Sequence, residues 1–457
     1  MQHTFRIGLG VAAVLCACGT ALAEVTPEET KALGTTLTPW GATKAGNKEG
    51  TIPEWTGRPP VPKGYDPKNP GIGPDPFAHE KPLFTIDAKN MDKYADKLSE
   101  GQKEMLRKYP TYRLDVYPSH RTYAYPKKVQ DLSIKNATSC KTSADFLTLS
   151  DCYGGVPFPI PKNGNQVMWN HAVKYTSLEG WSAKFKSFVI NPTGAPILQG
   201  DNVIDYAFPW FRNDGNSTLP IGTDYYQYRQ DTTAPARMAG QKLLIRHGTK
   251  KNSDFVWQYL PGQRRVKLSP DLAYDTPQPQ SGGSSTMDDI WVFFGQQDRF
   301  DFKLIGKKEM YIPYNNYKLS GGAGGACSEA KLLTPNHFNP DCVRWELHRV
   351  WVVEGTKKPE FRHIYSKRTF YFDEDGPGHG LGDNYDASGK LYRSAITYFH
   401  PAFAVDDNMM EYAANNDFVT GVYNTYGLAG DLGGWYPTPV KPETYYTPDS
   451  LGASGIR

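Results

Sequence analysis

Four cysteines form two local pairs and are the residues with the clearest chemistry in this sequence. Cys140 lies close to Cys152 along the chain, and Cys327 lies close to Cys342. In an oxidising compartment an even, locally paired set indicates disulfides. A four-thiolate zinc site is the alternative, but these cysteines form no C-x-x-C hook. The spacing therefore predicts two local disulfides.

Histidines and a carboxylate form a second candidate site. His348 and His363 fall on consecutive predicted strands on either side of a turn at 355–359, so we expect the imidazoles to lie near each other on one hairpin. Glu346 is expected to point to the same face as His348. A hydrogen-bonded pair is favoured over a metal site, because two imidazoles alone do not make one.

Two acidic segments are candidates for cation binding. In the run 373–382, Pro377 stands where an EF-hand loop needs an oxygen ligand, and no glutamate closes the loop. A solvated turn is therefore favoured over a calcium site. Asp288 and Asp289 precede an apolar stretch and indicate the end of a loop, where they could bind a nearby lysine or arginine.

The remaining polar chemistry points away from nucleic acids and from enzymes. The formal net charge is +3, of which the first 23 residues supply one cation, and no clustered basic face is evident. Solvation is favoured for the cations Arg264, Arg265, Lys307, Lys308 and Arg349, with binding to acidic headgroups or a partner protein as the alternative. No hydrolase, zinc-protease, phosphate-binding or dinucleotide-binding motif is found, so we predict no enzyme activity and no cofactor.

The first 23 residues have the pattern of a secretory signal peptide. A single cation, Arg6, precedes the apolar run 7–18, and a small-residue cleavage site ends at Ala23. This run is shorter than the roughly 20 residues of a membrane-spanning helix. We therefore expect export to the periplasm, with outer-membrane association as a finer hypothesis. Cleavage before Cys18 and lipidation of that residue is the minority alternative.

The elements that must position these residues begin after a Pro/Gly-rich N-terminal arm, residues 24–89. A helical segment is predicted near 91–109. Asn90 is the expected cap of its first part, and Ser99 with Gln102 forms a capping box for its second part. Pro110 ends the segment, and residues 90–457 are predicted to form a single domain.

Strand patterns dominate the rest of the chain. Alternating apolar residues and short turn-rich links indicate an antiparallel meander, with turns at 261–262 and 386–389. The composition agrees, because 13% of the residues are aromatic and 44 glycines and 36 prolines punctuate the chain. The predicted strands are 181–190, 203–208, 225–229, 242–247, 255–260, 302–312, 344–354, 363–372 and 391–399.

Several predicted strands are apolar or aromatic on both faces, unlike a sheet with one solvated face. Either a second layer covers them or the sheet curls around an apolar molecule; core packing against helices is the simpler alternative. For ligand contact we select two residues that share a predicted strand face and three from other strands: Trp257, Tyr259, Trp345, Trp351 and Phe370.

Motifs along almost the whole chain resemble a known bacterial family, domain of unknown function 1329. They are LTP at 37–39, GTIP at 50–53, WTG at 55–57, YRLDVYP at 112–118, GGVPFPIP at 154–161, WNH at 169–171, LPGQRRV at 260–266, GKKEMYIPYN at 306–315 and HRVWVVE at 348–354. The extra glycines at 376–382 depart from the pattern of many relatives.

The resemblance implies a mainly β fold with helices, similar to the carriers of the outer-membrane lipoprotein-sorting pathway. In such a fold a strongly curved antiparallel sheet, a half-barrel, is closed by helices on its concave side. We therefore expect a periplasmic carrier or outer-membrane accessory protein that binds a lipid or another hydrophobic molecule. The alternative is a scaffolding partner of an outer-membrane β-barrel or efflux complex.

Overall fold

The computed structural model describes residues 25–71, 73–178, 180–320, 327–403 and 408–453. The predicted signal peptide, including Cys18, lies outside these residues. No helix in the described ranges has the length and hydrophobicity needed to cross a membrane.

Strands supply most of the regular structure. In the described residues they are β1 (Phe84–Ile86), β2 (Leu114–Val116), β3 (Lys141–Thr142), β4 (Leu149–Ser150), β5 (Gly180–Ile190), β6 (Pro196–Ala207), β7 (Asp224–Ala234), β8 (Lys242–Gly248), β9 (Asp254–Leu260), β10 (Arg265–Leu268), β11 (Phe300–Pro313), β12 (Trp345–Lys357), β13 (Lys367–Asp373), β14 (Gly380–Tyr385), β15 (Leu391–Pro401), β16 (Asn408–Asp417), β17 (Tyr423–Leu428) and β18 (Trp435–Thr438).

One large curved sheet, a half-barrel, contains all of these strands except the hairpin β3–β4. Two antiparallel meanders, β5 to β10 and β11 to β17, are joined where β17 pairs with β5. Strands β1 and β2 extend the sheet beyond β12, and β18 adds to β5. Within the described residues the end strands β1 and β10 do not pair with each other, so the sheet is open. The predicted fold class is confirmed.

The strand predictions hold where alternation is regular and fail where glycine or polar residues interrupt it. The hairpin turns at 261–262 and 386–389 are confirmed by the pairing of β9 with β10 and of β14 with β15. Strand β13 begins at Lys367 rather than at His363, because 363–366 belong to the preceding turn. The strands β10, β14, β16, β17 and β18 were not predicted.

Short helices pack against the sheet. They are α1 (Pro27–Ala32), α2 (Glu100–Lys108), α3 (Lys127–Ser139), α4 (Gly164–Ala172), α5 (Glu329–Leu332) and α6 (Pro448–Ala453), with 3-10 helices at Met91–Lys97, Pro209–Arg212, Met287–Asp289, Tyr317–Ser320, Pro340–Cys342, Gly430–Leu432 and Glu443–Tyr446.

The predicted caps near 91–109 have different outcomes. The capping box of Ser99 and Gln102 at the start of α2 is confirmed. Asn90 occupies the N-cap position, as predicted, but makes no capping hydrogen bond: its amide nitrogen donates to the Thr85 carbonyl at 2.8 Å and its side-chain oxygen accepts from Asp87 N at 2.9 Å. The segment after Asn90 is accordingly a 3-10 helix rather than the start of an α-helix.

Two regions of the sheet have different interiors. The filled half consists of strands β11 to β15 and α4. There, Val167 and Met168 of α4 pack against Phe302, Phe370 and Phe372 in a continuous apolar cluster. The hollow half consists of β5 to β10 and the covering segment 269–296, which we call the roof. Apart from one short 3-10 helix, the roof has no helical structure, and it covers the sheet less completely.

The N-terminal arm is bound to the sheet rather than extended. Trp40, Ala42 and Ile52 are buried in the main core. Trp55 donates its indole N–H to the Tyr123 carbonyl at 3.0 Å. These contacts explain how a segment rich in proline and glycine is ordered without regular structure of its own.

Both predicted disulfides are confirmed. Cys140 is bonded to Cys152 with Cα atoms 4.1 Å apart, and Cys327 is bonded to Cys342 with Cα atoms 5.8 Å apart. Each closes a short local loop, so neither constrains the long-range topology of the sheet.

Candidate functional site

A cleft lies between the inner face of the hollow half and the roof. It holds two neighbouring cavities, a smaller one of about 100 Å³ and a larger one of about 240 Å³. Leu272, Met287 and Phe294 contribute to the walls of both. We treat the two cavities as one candidate site because only these shared side chains of the roof separate them.

Strand register determines which side chains face this cleft. Strands β8 and β9 pair Leu243 with Gln258 and Ile245 with Val256. Since successive residues of a strand point to opposite faces, these four residues share the inner face. All four line one of the two cavities.

Aromatic rings make up most of the wall of the smaller cavity. Tyr206 lies between Tyr228 and Trp435, with ring centroids at 5.0 and 5.8 Å. Such rings contribute a large apolar area and few rotatable bonds. The aromatic lining residues are Phe185, Tyr206, Tyr226, Tyr228, Trp291, Phe294, Tyr426 and Trp435.

One end of the smaller cavity is polar. Gln230 donates to Thr232 at 3.1 Å, and the Thr232 hydroxyl donates to Asn202 at 2.9 Å. Gln280 of the roof donates to the same Asn202 oxygen at 3.3 Å. This chain of amides and a hydroxyl carries no formal charge, whereas Lys242, which also lines the cavity, forms an ion pair with Asp231 at 2.9 Å.

The larger cavity contains an ionisable pair that burial keeps neutral. His247 Nδ1 lies 3.7 Å from Asp254 Oδ2. Burial raises the pKa of the Asp254 carboxyl to about 8. Burial, together with the charge of Lys174, lowers the pKa of His247 to about 3. Near neutral pH this part of the wall therefore carries a protonated carboxyl and a neutral imidazole.

Exposed apolar side chains mark the mouth of the larger cavity. Phe255 is 40% exposed and Leu268 is 47% exposed, and both border the cavity. Leu268 lies on β10, the end strand of the sheet. The larger cavity thus lies beside the sheet edge, where an apolar molecule could enter without crossing a strand.

An ion-pair cluster fastens the roof to the filled half. Arg368 of β13 is fully buried, and its Nη1 and Nη2 atoms lie 2.9 Å from carboxylate oxygens of Asp288 and Asp289 respectively. Burial alone would raise the pKa of Asp288, but Arg368 and the hydrogen bond of His363 hold it well below its usual range. The prediction that Asp288 and Asp289 bind a nearby cation is confirmed, whereas the prediction that they end a loop is wrong, because the irregular segment continues to the start of β11 at Phe300.

The predicted pairing of His348 with His363 is wrong. His363 Nε2 lies 2.9 Å from Asp288 of the roof, and its ring contacts Phe300, whose strand partner is Lys357. His348 lies on β12, nine residues before Lys357, and its strand partner on β11 is Met310. The two imidazoles are at opposite ends of the strand. The contact of His348 with Glu346 is confirmed, with His348 Nε2 3.1 Å from Glu346 Oε2.

The acidic run that begins at Asp373 is buried, so the prediction of a solvated turn is wrong. Asp373, Glu374 and Asp375 are 0%, 4% and 1% exposed. Arg121 binds Asp375 through Nε and Nη2 at 2.8 and 2.7 Å and also donates to carbonyls of the N-terminal arm. The arm covers the turn, which local sequence could not indicate.

Two predicted solvated cations also bind this acidic run. Lys307 Nζ lies 2.7 Å from Glu374 Oε2, and Arg349 Nη1 lies 3.4 Å from Glu374 Oε1. For these two residues the prediction of solvated charges is wrong. Arg264 and Arg265 are exposed, as expected.

The five aromatic residues selected for ligand contact are not brought together, and none lines the two cavities. Trp257 and Tyr259 share a face, as predicted, but it is the outer face, where they pack near Tyr446 and Leu451. The other three lie on β12 and β13: Trp345 is buried in the main core, Phe370 is buried in the cluster of the filled half, and Trp351 is half-buried beside Lys307. Ligand contact at these residues stays a prediction.

Sequence reasoning missed the residues that line the cleft. Tyr226, Tyr228 and Gln230 follow each other with the two-residue period of a strand, so their common face was visible in the sequence. The roof residues had no such signal, because 269–296 has no regular periodicity.

Comparison with known proteins identifies the family. A family model described as a protein of unknown function, DUF1329, matches residues 85–452. An uncharacterized protein of Pseudomonas aeruginosa is 38% identical over 459 residues, which cover 98% of each chain. The chain therefore belongs to the DUF1329 family, as its motifs indicated.

Solved structures show more distant likeness. A domain from Vibrio parahaemolyticus, described as an outer-membrane lipoprotein-sorting protein, has a TM-score of 0.41 and 13% identity, covering 63% of this chain and 97% of its own. A DUF1329 family protein from Desulfovibrio piger has a TM-score of 0.39 and 14% identity, and the match covers 60% of this chain and 92% of that protein's chain. At such scores we transfer no activity to this chain.

Proposed function

We propose that this protein is a periplasmic carrier, or an accessory protein of the outer membrane, that binds a hydrophobic molecule in the roofed cleft of its hollow half. The observation that carries the proposal is the aromatic-walled pair of cavities beneath the roof, beside the sheet edge. A concave, mostly apolar pocket with a few polar anchors is the usual form of a small-molecule site.

The volumes suit a part of a lipid or a ring-sized compound. An apolar cavity of about 150 Å³ binds benzene. The larger cavity, at about 240 Å³, has room for more than that, and the smaller one, at about 100 Å³, could continue the path. Displacement of the shared side chains Leu272 and Met287 would join them. An acyl chain could then lie along the inner face of the sheet.

The polar groups favour an uncharged ligand head. The neutral pair of His247 and Asp254 and the amides of Gln230 and Gln280 offer hydrogen bonds without a formal charge. Lys242, the cation in the wall of the smaller cavity, is already paired with Asp231 at 2.9 Å, so a charged headgroup buried there would compete with that ion pair and would pay a large desolvation penalty. We therefore propose an apolar ligand with a neutral ester, amide or hydroxyl group.

Scaffolding remains the second candidate, with less support. A Pro/Gly-rich N-terminal arm could dock on another protein, whereas the arm of this protein packs on its own sheet. Crosslinking in intact cells separates the two functions: a stoichiometric protein partner without any bound hydrophobic compound would favour scaffolding.

The direct test measures binding of the uncharged fluorophore N-phenyl-1-naphthylamine to the purified protein. Ala273 of the roof lines the larger cavity, so Ala273→Phe should fill it and weaken binding at least about tenfold, a change of about 1.4 kcal/mol. Ala387→Phe, in the exposed turn 386–389, adds the same ring outside the cleft and should have no effect.

Native mass spectrometry of gently extracted protein should also show a co-purifying hydrophobic compound. A wild-type protein that does not bind the fluorophore, or an Ala273→Phe variant that binds it as the wild type does, would refute the carrier proposal.

A further inference from the structure

The acidic run at the end of β13 contains a buried carboxylate without a basic partner. Asp373 is 0% exposed, and among the described residues no lysine or arginine nitrogen lies within 4.0 Å of it. Its Oδ2 accepts from Gly376 N at 2.7 Å, but its Oδ1 has no hydrogen-bond partner. An isolated buried carboxylate is costly, so it calls for a proton or a cation.

Two imidazoles surround this carboxylate. His348 Nδ1 lies 3.9 Å from Asp373 Oδ1, and His379 Nε2 lies 3.5 Å from Asp373 Oδ2. His379 is 2% exposed, and its Nε2 also lacks a hydrogen-bond partner. Asp373 and His379 therefore each carry a buried polar atom without a hydrogen-bond partner.

His348 is oriented as metal-ligating histidines usually are. Its Nε2 lies 3.1 Å from Glu346 Oε2, and Glu346 is itself bound by Arg344 and by His120 N. A carboxylate that accepts one ring N–H fixes the tautomer and leaves the other nitrogen with a free lone pair. Here that nitrogen is Nδ1, the atom facing Asp373.

Asp375 completes the group. One ligand atom from each of His348, Asp373 and Asp375 can be chosen so that all three lie within 4.8 Å of one another. Arg121 holds the Asp375 carboxylate in place through two hydrogen bonds and leaves the second lone pair of each oxygen available.

We propose that His348, Asp373 and Asp375, with His379 beside them, form a binding site for a divalent transition metal ion of the zinc(II) type. Nitrogen and carboxylate ligands together suit zinc, which binds both at about 2.0–2.2 Å, so ligand atoms that now lie within 4.8 Å of one another would draw together to about 3.3–3.6 Å around a tetrahedral ion. The site is separate from the roofed cleft. It joins β12, β13 and the turn after β13, which the N-terminal arm covers, so the ion would stabilise this end of the filled half.

The test uses the purified full protein after treatment with a chelator and dialysis. Zn²⁺ is titrated by calorimetry, and bound metal is counted by mass spectrometry. We expect one Zn²⁺ per chain and a rise in Tm, since a ligand that binds only the folded state stabilises it. Addition of Co²⁺ should give the visible absorption of a nitrogen- and oxygen-ligated ion.

Three variants test the assignment. Asp373→Asn should weaken Zn²⁺ binding at least about 100-fold, and Glu346→Gln, which alters the orienting partner of His348, about 10–100-fold. Asp383→Asn is the matched control, because Asp383 is also 0% exposed but binds the N-terminal N–H groups of α2. It should keep wild-type affinity for Zn²⁺, whatever its effect on stability.

The proposal is overturned if the chelator-treated wild type takes up no stoichiometric Zn²⁺, or if Asp373→Asn binds it as tightly as the wild type. The latter result would assign the metal to surface groups. Should Asp373→Asn not fold, the Glu346→Gln titration decides: unchanged affinity refutes the site. Loss of the metal without loss of fluorophore binding would leave the carrier proposal intact.

Discussion

The filled and hollow halves belong to one sheet and are built from similar strands, yet both cavities of the roofed cleft lie in the hollow half. In the filled half, Val167 and Met168 of α4 pack against Phe302 and Phe370, so side chains fill the space between the helix and the inner face of the sheet. In the hollow half, the irregular roof covers strands that are equally aromatic and leaves two cavities. Aromatic strands by themselves therefore do not indicate a binding site; the covering layer does.

The two halves are not independent, because Arg368 of the filled half holds the roof of the hollow half. Arg368→Met would leave Asp288 and Asp289 without their buried cation, and removal of one member of such a group costs about 3–5 kcal/mol. We expect that loss in the free energy of unfolding, measured with urea, together with weaker fluorophore binding. A loss below about 1 kcal/mol would mean that the roof is held by other contacts.

Truncation should separate a solid core from a cavity wall. Phe370→Ala removes a fully buried ring and should cost about 3–5 kcal/mol. Leu243→Ala, at a half-buried position on the wall of the smaller cavity, should cost only about 1 kcal/mol but should weaken fluorophore binding. Urea denaturation and fluorophore titration of both variants measure this difference; equal losses of stability would contradict it.

Enlargement should give the reverse contrast. Ala395→Phe places a ring in the close-packed cluster of the filled half, where overpacking costs about 1–3 kcal/mol or more. Ala273→Phe has a cavity to fill, so we expect a change in stability below about 1 kcal/mol. Thermal melts of the two variants provide the comparison. If Ala273→Phe is as destabilised as Ala395→Phe, the larger cavity is not open space in solution.

The last effect concerns pH, and we expect it in the hollow half. The pKa of Asp254 is raised from its usual 3.8 to about 8, so between these values the folded chain keeps a proton that the unfolded chain has lost. The free energy of unfolding therefore falls as pH rises, by at most about 1.4 kcal/mol per pH unit for this one proton.

Asp254→Asn should remove this decline, so the stability of the variant relative to the wild type should rise from pH 5 to pH 8. His247 lies beside Asp254 with a pKa of about 3 and contributes the opposite slope below its ordinary value of 6.5 in both proteins. The difference in free energy of unfolding between variant and wild type, measured with urea across this pH range, thus depends on the protonation of Asp254. Parallel curves would show that its carboxyl is ionised in the folded protein.

Local patterns in the sequence predicted the elements with local causes. The capping box of Ser99 and Gln102, the hairpin turns and the two disulfides each depend on residues close together along the chain. Predictions failed where a distant segment intervened. The acidic run at 373–375 is typical of a solvated turn, and it is buried only because Arg121 and the N-terminal arm cover it.

By itself, the sequence determined the β-rich class of the fold, its family and its local crosslinks, because periodicity, turn residues and motif order are properties of the chain. Tertiary structure decided which aromatic face is a cavity wall. The alternation of β9 separates Trp257 and Tyr259 from Val256 and Gln258, but cannot say which set faces inward. That choice depends on where the roof and α6 pack, and long-range contacts of this kind leave no period in the sequence.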